Sequence, residues 1–377
     1  MSSQNLPGPI LVTRPSELQK LIQKLSGQPL LAVDTEANSL YAYQERVCLI
    51  QFSIPNFDYL VDPLSLNDLS PLASIFANPN IEKIFHAAEY DLIMLKQDFR
   101  FDFAGIFDTM LAARILGWKS VGLSSILKMQ FGVVVDKKYQ RANWGHRPLP
   151  PEMQTYAQLD THYLIPLRKQ LKALLKEKGR WDLAQEDFSR VSKVNPNNHK
   201  SNHDCWRING SRDLHLNQIA VLQELCHFRD QLAKASDRPL FKVISDSALI
   251  NVAVANPTTL RELEQVSGIS QKQVNWFGKG LLDAVQIGQK RNPPPFPQKP
   301  RLSDQHITRI EVLRRWRKIT ARKLKVESDV ILPKDVLYNL AEKNPKTRAE
   351  FNQLMKSVPW RLVHFGDEIF ELLRATY

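Results

Sequence analysis

Shifted by 88 residues, the C-terminal half of this chain falls on itself without a gap. Leu225 meets Leu313, Arg229 meets Arg317, Ala233 meets Ala321, Leu249 meets Leu337 and Ala253 meets Ala341. Asn256-Pro257 meets Asn344-Pro345, Thr259 meets Thr347, Phe277-Gly278 meets Phe365-Gly366, and aromatic Phe228 meets Trp316. Agreement of this density at one shift marks two tandem copies of a small unit. Leu222, Leu225, Cys226, Arg229 and Leu232 recur at three-to-four spacing, so each copy reads as a helical bundle. At ~70 residues each, the copies can bury a small core. The stretch 288–304, with five prolines, separates them as an extended linker. The polar, Asn-rich stretch 193–213 reads as a second linker. The chain therefore divides into a block at 1–192, a copy at 214–287 and a copy at 305–377.

The first block alternates strands and helices. LLAVDTEANS, RVCLIQFSI, DYLVDP and IEKIFHA read as strands, and PLASIFAN and AEYDLIMLKQDF as helices. Asp108 is placed to cap the helix that follows it. PPEMQTYAQLDTHYLIPLRKQLKALLKEKG reads as one long amphipathic helix, with Pro at its start and Gly after its end. The expected fold is a mixed α/β sheet with flanking helices, followed by two all-α bundles.

Hydrophobic residues make up 43% and charged residues 24%, which excludes collagen-like and wholly disordered classes. No apolar run approaches a membrane span, and the N-terminus lacks a secretory pattern. Three widely spaced cysteines, Cys48, Cys205 and Cys226, argue against a disulfide framework and fit a reducing cytoplasm. The net charge of +12 is uneven. Residues 1–192 hold 21 basic and 20 acidic residues, whereas 193–377 hold 30 and 19. A basic half suits a polyanion, and nucleic acid is the usual one.

Asp34 and Glu36 end an apolar strand, and residues two apart on a strand share a face. Two carboxylates so placed repel unless a cation lies between them, and oxygen ligands suit Mg²⁺ or Mn²⁺. Asp91 opens a helix beside the apolar run Leu92-Ile93-Met94-Leu95 and needs a partner there. Tyr156 and Asp160 lie four apart on one helix face, where a phenol beside a carboxylate could orient a water.

Taken together, Asp34-Thr35-Glu36, Asp91 in HAAEYDL and Tyr156-x-x-x-Asp160 resemble the three motifs of the DEDD exonucleases in their tyrosine-bearing branch. VDTEANS, FDTMLAARIL, GLSSIL and NWGHRPLPPEMQTYAQLDTHYLIPL look like the ribonuclease D family, and the two C-terminal copies resemble HRDC domains. The resemblance spans almost the whole chain, apart from the two linkers. It implies a ribonuclease H-like exonuclease domain and 3′→5′ hydrolysis of RNA to nucleoside 5′-monophosphates. It further implies two divalent ions, Mg²⁺ or Mn²⁺, held by Asp34, Glu36, Asp91 and Asp160, with Tyr156 positioning the attacking hydroxide. The implied partner is structured RNA such as a tRNA precursor; the expected location is the cytoplasm, and the oligomeric state stays open with a monomer favoured. The motifs alone leave a 3′→5′ DNA exonuclease open, and a non-catalytic RNA-binding protein is the reading of another class.

Further residues invite a role. Lys137, Lys138, Arg141 and Trp144 mix cations with an aromatic ring and could grip phosphates and stack a base. Arg314, Arg315, Lys318 and Arg322 belong to a dense basic run suited to phosphate contacts. His86 reads as structural. His199, His203 and Cys205 have zinc-like spacing but lack a fourth ligand. No phosphate-binding G-x-x-x-x-G-K-[ST] loop occurs, so no nucleoside triphosphate is expected.

Overall fold

The structure, a computed structural model, describes residues 6–193, 195, 205–292 and 302–375. The first block runs β1 (Ile10–Val12), α1 (Pro15–Ser26), β2 (Leu30–Ala37), β3 (Val47–Ile54), β4 (Phe57–Val61), α2 (Ala73–Ala77), β5 (Glu82–Phe85), α3 (Glu89–Phe99), β6 (Ile106–Asp108), α4 (Thr109–Leu116) and α5 (Leu123–Phe131). It closes with α6 (Pro151–His162), α7 (Leu164–Glu177) and α8 (Trp181–Val191). Six strands form one mixed sheet in the order β1-β4-β3-β2-β5-β6. The β2-β3 and β3-β4 pairs are antiparallel, and the β1-β4, β2-β5 and β5-β6 pairs are parallel.

Strand alternation sends neighbouring residues of β2 into different layers. Val33 joins Leu18, Leu21 and Leu25 of α1 and Leu92 of α3 in one core. Ala32 joins Ala112, Ala113, Leu167, Leu171 and Ala184 of α4, α7 and α8 in the other. Helices thus cover both faces, and Asp34 and Glu36 continue the face of Ala32.

The reading of 150–179 as one helix needs correction. α6 stops at His162, Tyr163 turns the chain and α7 begins at Leu164. Pro166 lacks an N–H and its ring collides with the carbonyl four residues back, so one continuous helix cannot pass through it.

The first copy comprises α9 (Leu216–Ala235), α10 (Leu240–Val243), α11 (Asp246–Ala255), α12 (Leu260–Glu264) and α13 (Gln271–Lys290). The second comprises α14 (Asp304–Leu324), α15 (Ser328–Ile331), α16 (Lys334–Lys343), α17 (Arg348–Leu354) and α18 (Pro359–Arg374). The matching positions do matching work. Arg229 donates to the Ile244 carbonyl at 3.1 Å, and Arg317 to the Leu332 carbonyl at 3.0 Å. Thr259 and Thr347 accept the backbone N–H three residues on, each at 3.2 Å. Asn256 and Asn344 end helices in the left-handed region, with φ 52° and 45°, where asparagine is tolerated.

Two compact units result. One gathers the sheet block with the second copy, and the other gathers the first copy with the loop 38–46 that joins β2 to β3. Within the first unit Arg361, wholly buried, donates to Glu186, to Asp187 at 2.8 and 3.0 Å, and to the Val330 carbonyl at 2.7 Å. Gly117, at φ +82°, ends α4 against the Lys325 carbonyl, which an added Cβ would meet at 2.2 Å. Within the second unit Tyr43 donates its hydroxyl to Asp230 at 2.8 Å, and its N–H to Asp237 at 3.0 Å.

Two expectations about residues 193–213 change. Short turns at Cys205–Arg207 and Ser211–Asp213 carry Ile208 and Leu214 into the core of the first copy, so this part is not free linker. Cys205 and Cys226, read as unpaired thiols, form a disulfide with a Cα–Cα distance of 6.3 Å. The turn at 205 folds back on α9, so spacing along the chain is no bar to pairing. Cys48 is buried on β3 and is not part of this disulfide. His199, His203 and most of the Pro-rich stretch lie outside the described residues.

Candidate active site

β2 positions the first two acids. Its parallel ladder with β5 runs from Leu30↔Glu82 to Ala32↔Ile84, and the strand then projects beyond its partner. Asp34 and Glu36 lie on this projecting end, where the sheet no longer covers them from the β5 side. α6 crosses the same face and brings Asp160. Carboxylate oxygens of Asp34, Glu36 and Asp160 all lie within 4.8 Å of one another.

Three carboxylates so close, with no cation of the described residues paired to them, disfavour their own ionised forms. Burial, then the charges of Asp91, Asp160 and Glu36, raise Asp34 well above the usual carboxylate range. Burial, then the charges of Asp160 and Asp91, raise Glu36 well above it too. Asp160 is pushed up to about 8, first by burial and then by Asp91. A divalent cation among them offsets both the burial of their charge and their mutual repulsion, and an all-oxygen donor set suits a hard ion. The residues present therefore fit a divalent metal.

Asp91, in the first turn of α3, stands outside that trio. It is buried and pushed up to about 7, chiefly by burial. Its partner is the Thr35 hydroxyl, which donates to Oδ1. Thr35 leaves β2 on the opposite face from Asp34 and Glu36, toward the layer that holds α3. The start of α3 is itself tied down. Asp108 accepts from the N–H groups of Ala87 and Ala88 at 3.1 and 2.8 Å, and from Met110 and Leu111 of α4 at 2.8 and 3.1 Å. Ala87, at φ 63°, is a backbone conformation that an alanine holds only when it is fixed in this way. One carboxylate thus fixes the starts of two helices, more than the single cap its sequence position suggests. His86 is structural: Nδ1 meets the Thr109 hydroxyl at 2.9 Å, and burial lowers its pKa to about 4.

Tyr156 sits one turn before Asp160. Burial first, then the charges of Asp160, Glu36 and Asp34, push its hydroxyl pKa up, so the phenol stays protonated. Its ring packs 5.9 Å from Tyr139 and 6.0 Å from Trp144. Trp144 is 1% exposed, which corrects its reading as a stacking platform: it supports Tyr156 from within a core shared with Leu49, Leu60 and Met153. Lys137, Lys138 and Arg141 are exposed on the 3₁₀ segment Lys137–Arg141. Arg315, Lys318 and Arg322 are exposed on α14, and Arg314 donates to the Tyr338 hydroxyl.

Sequence reading missed the network that seats α6. Asp58 of β4 accepts from Ser53 at 2.5 Å, from Gln158 at 2.7 Å and from His162 at 2.8 Å. Ser53 and Thr161 hydroxyls meet at 2.7 Å. Gln158, Thr161 and His162 flank Asp160 on α6. A Ser-x₄-Asp pair across a hairpin was the available signal, but it gains meaning only once α6 lies over the sheet.

Comparison with known proteins agrees with this geometry. Residues 9–176 match the 3′-5′ exonuclease family, and residues 218–285 and 307–373 each match the HRDC domain. Ribonuclease D of Desulfotalea psychrophila is 31% identical over 280 residues, covering 73% of this chain and 74% of that protein. Protein RRP6-like 3 of Arabidopsis thaliana is 31% identical over 279 residues, but this chain spans only 31% of its length. The crystal structure of Escherichia coli RNase D, described as an exoribonuclease involved in structured RNA processing, superposes with a TM-score of 0.69 at 25% identity, covering 98% of this chain and 99% of that one. With its carboxylate cluster on the projecting end of β2 and its two helical copies, this chain belongs to the ribonuclease D family of 3′–5′ exoribonucleases.

Proposed function

We propose that this chain removes nucleoside 5′-monophosphates one at a time from the 3′ end of structured RNA, with tRNA precursors as the substrate class. The observation that carries the reading is the meeting of Asp34, Glu36 and Asp160 within 4.8 Å, with Tyr156 one turn before Asp160 on α6. Asp34, Glu36 and Asp160, with Asp91 alongside, would hold two divalent ions, Mg²⁺ or Mn²⁺. Such ions, when bound, supply Lewis acidity and a water deprotonated near neutral pH. The remaining work falls to the chain. Tyr156, kept protonated, donates a hydrogen bond that orients the attacking oxygen. Glu36, toward the projecting end of β2, would meet the terminal ribose, which would favour ends over internal bonds.

Lys137, Lys138 and Arg141 would hold phosphates of the entering strand, and Arg315, Lys318 and Arg322, with Arg314, those of the RNA body. The division into an exonuclease domain at 1–192 and HRDC-like domains at 214–287 and 305–377 belongs to the same proposal, as does a cytoplasmic monomer. The test offers 3′-labelled tRNA precursor and a DNA of matched sequence, each with Mg²⁺ or Mn²⁺ and again with EDTA. Release of labelled mononucleotide from the RNA, abolished by EDTA, is the expected result. Faster release from DNA would replace this reading with that of a DNA exonuclease. Binding without release under any condition would leave a non-catalytic RNA-binding protein.

A further inference from the structure

Gln51 lies on β3, wholly buried, and neither its Nε2 nor its Oε1 has a hydrogen-bond partner. Buried primary amides are almost always satisfied, because the interior offers no water to replace a missing partner. The residue therefore calls for an explanation that packing does not supply.

Strand register gives one. Gln51 stands directly opposite Asp34 in the β2-β3 ladder, and opposite Leu60 in the β3-β4 ladder. Residues directly opposite project on the same face with Cβ atoms about 5 Å apart. Two residues either side of Gln51 on that face, Leu49 packs with Tyr156 and Ala157, and Ser53 bonds Thr161. Gln51 thus lies under the span of α6 between Tyr156 and Thr161, the span that carries Asp160. The unpartnered amide is aimed into the layer where the carboxylates gather.

We propose that Gln51 is a positioning residue for the carboxylate site: unpartnered without an ion, its Nε2–H turns to the Asp34 carboxylate opposite it once a divalent ion is bound, and fixes the orientation in which that group meets the ion. The inference rests on the reading of Asp34, Glu36 and Asp160 as metal ligands. An amide suits the place better than a cation. It donates without cancelling the negative charge that an ion needs, whereas Lys or Arg there would compete with the ion. Partners that orient metal ligands in this way commonly change affinity by about 10–100-fold when removed.

The test uses the full-length protein and Mn²⁺ alone as probe. Gln51→Met keeps the volume and removes both orphan groups. A merely structural amide, so replaced, leaves Mn²⁺ binding untouched. The proposal expects the metal-free Gln51→Met protein to melt at or above the wild-type temperature. Its Mn²⁺ affinity by calorimetry falls about 10–100-fold, and nucleotide release recovers at high Mn²⁺. Wild-type Mn²⁺ affinity in Gln51→Met overturns the positioning role while leaving the metal site standing. Absence of Mn²⁺ binding by wild type overturns both. Should Gln51→Met fail to fold, a crystal structure of wild type with Mn²⁺ decides. Nε2 within about 3.2 Å of an Asp34 oxygen supports the proposal, and an amide turned away from Asp34 refutes it.

Discussion

Asp91 and Asp160 hold protons far above the range of an exposed carboxylate, at about 7 and about 8. In the unfolded chain the same groups titrate near 4. Between those limits the native state binds more protons than the unfolded state, so stability falls as pH rises. The metal-free protein should therefore lose melting temperature from pH 5 to pH 8.5. Mn²⁺ should stabilise it more at pH 8 than at pH 5, because ions displace those protons. Asp160→Asn should flatten the metal-free decline. Scanning calorimetry at several pH values checks this, and a metal-free melting temperature that climbs through the window would contradict it. Most of these residues were legible in the sequence, because D-x-E on a strand and Y-x₃-D on a helix fix side-chain directions locally. Thr35 and Gln51 were not. Each acts through a neighbour 56 or 17 residues away, on α3 or across a strand pair, and only the assembled fold makes those neighbours adjacent.

At the scale of elements, the position of α6 decides whether Tyr156 and Asp160 reach β2. Burial alone would raise the Asp58 pKa, but the bonds from His162, Ser53 and Gln158 outweigh it and hold Asp58 ionised. Removing that carboxylate leaves three donors under α6 without their acceptor. Asp58→Ala should cost roughly 1–3 kcal/mol of stability and slow nucleotide release, although Asp58 lies outside the carboxylate trio. Thermal melting and turnover measured on one preparation check it, and an unchanged melting temperature would refute the seating role. Helix starts with local chemistry, such as the Asp108 cap of α4, were readable from the chain. The edge strand β1 was not, since three residues carry too short a pattern. The break between α6 and α7 was hidden by an amphipathic stripe that continues across it, although Pro166 stands in the interrupted turn.

Across the whole molecule, the two copies share their internal bonds but differ at one telling place. In the first copy Gln273 bonds inward, to the Val243 carbonyl at 2.8 Å. At the equivalent position in the second copy Arg361 reaches Glu186 and Asp187 of α8 and holds that copy on the sheet block. The 88-residue repeat announced two similar bundles. It gave no sign of this docking, because Arg361 is one of the positions where the copies differ. Arg361→Met leaves Glu186 buried without its cation, a loss on the order of 3–5 kcal/mol. Hydrogen exchange in α15 and α18 should rise well before exchange in the sheet. Uniform protection in the variant would show that the ion cluster does not hold the bundle.

The central claim is that the carboxylates on β2 and α6 are useful only with divalent ions among them. Calorimetric titration of wild type and Asp34→Ala with Mn²⁺, beside release of 3′-terminal nucleotide from labelled RNA, tests it most directly. Wild type should bind Mn²⁺ and release nucleotide, while Asp34→Ala loses both yet still retains RNA on its basic surfaces. Undiminished release by Asp34→Ala, or release by wild type in EDTA, would contradict the account.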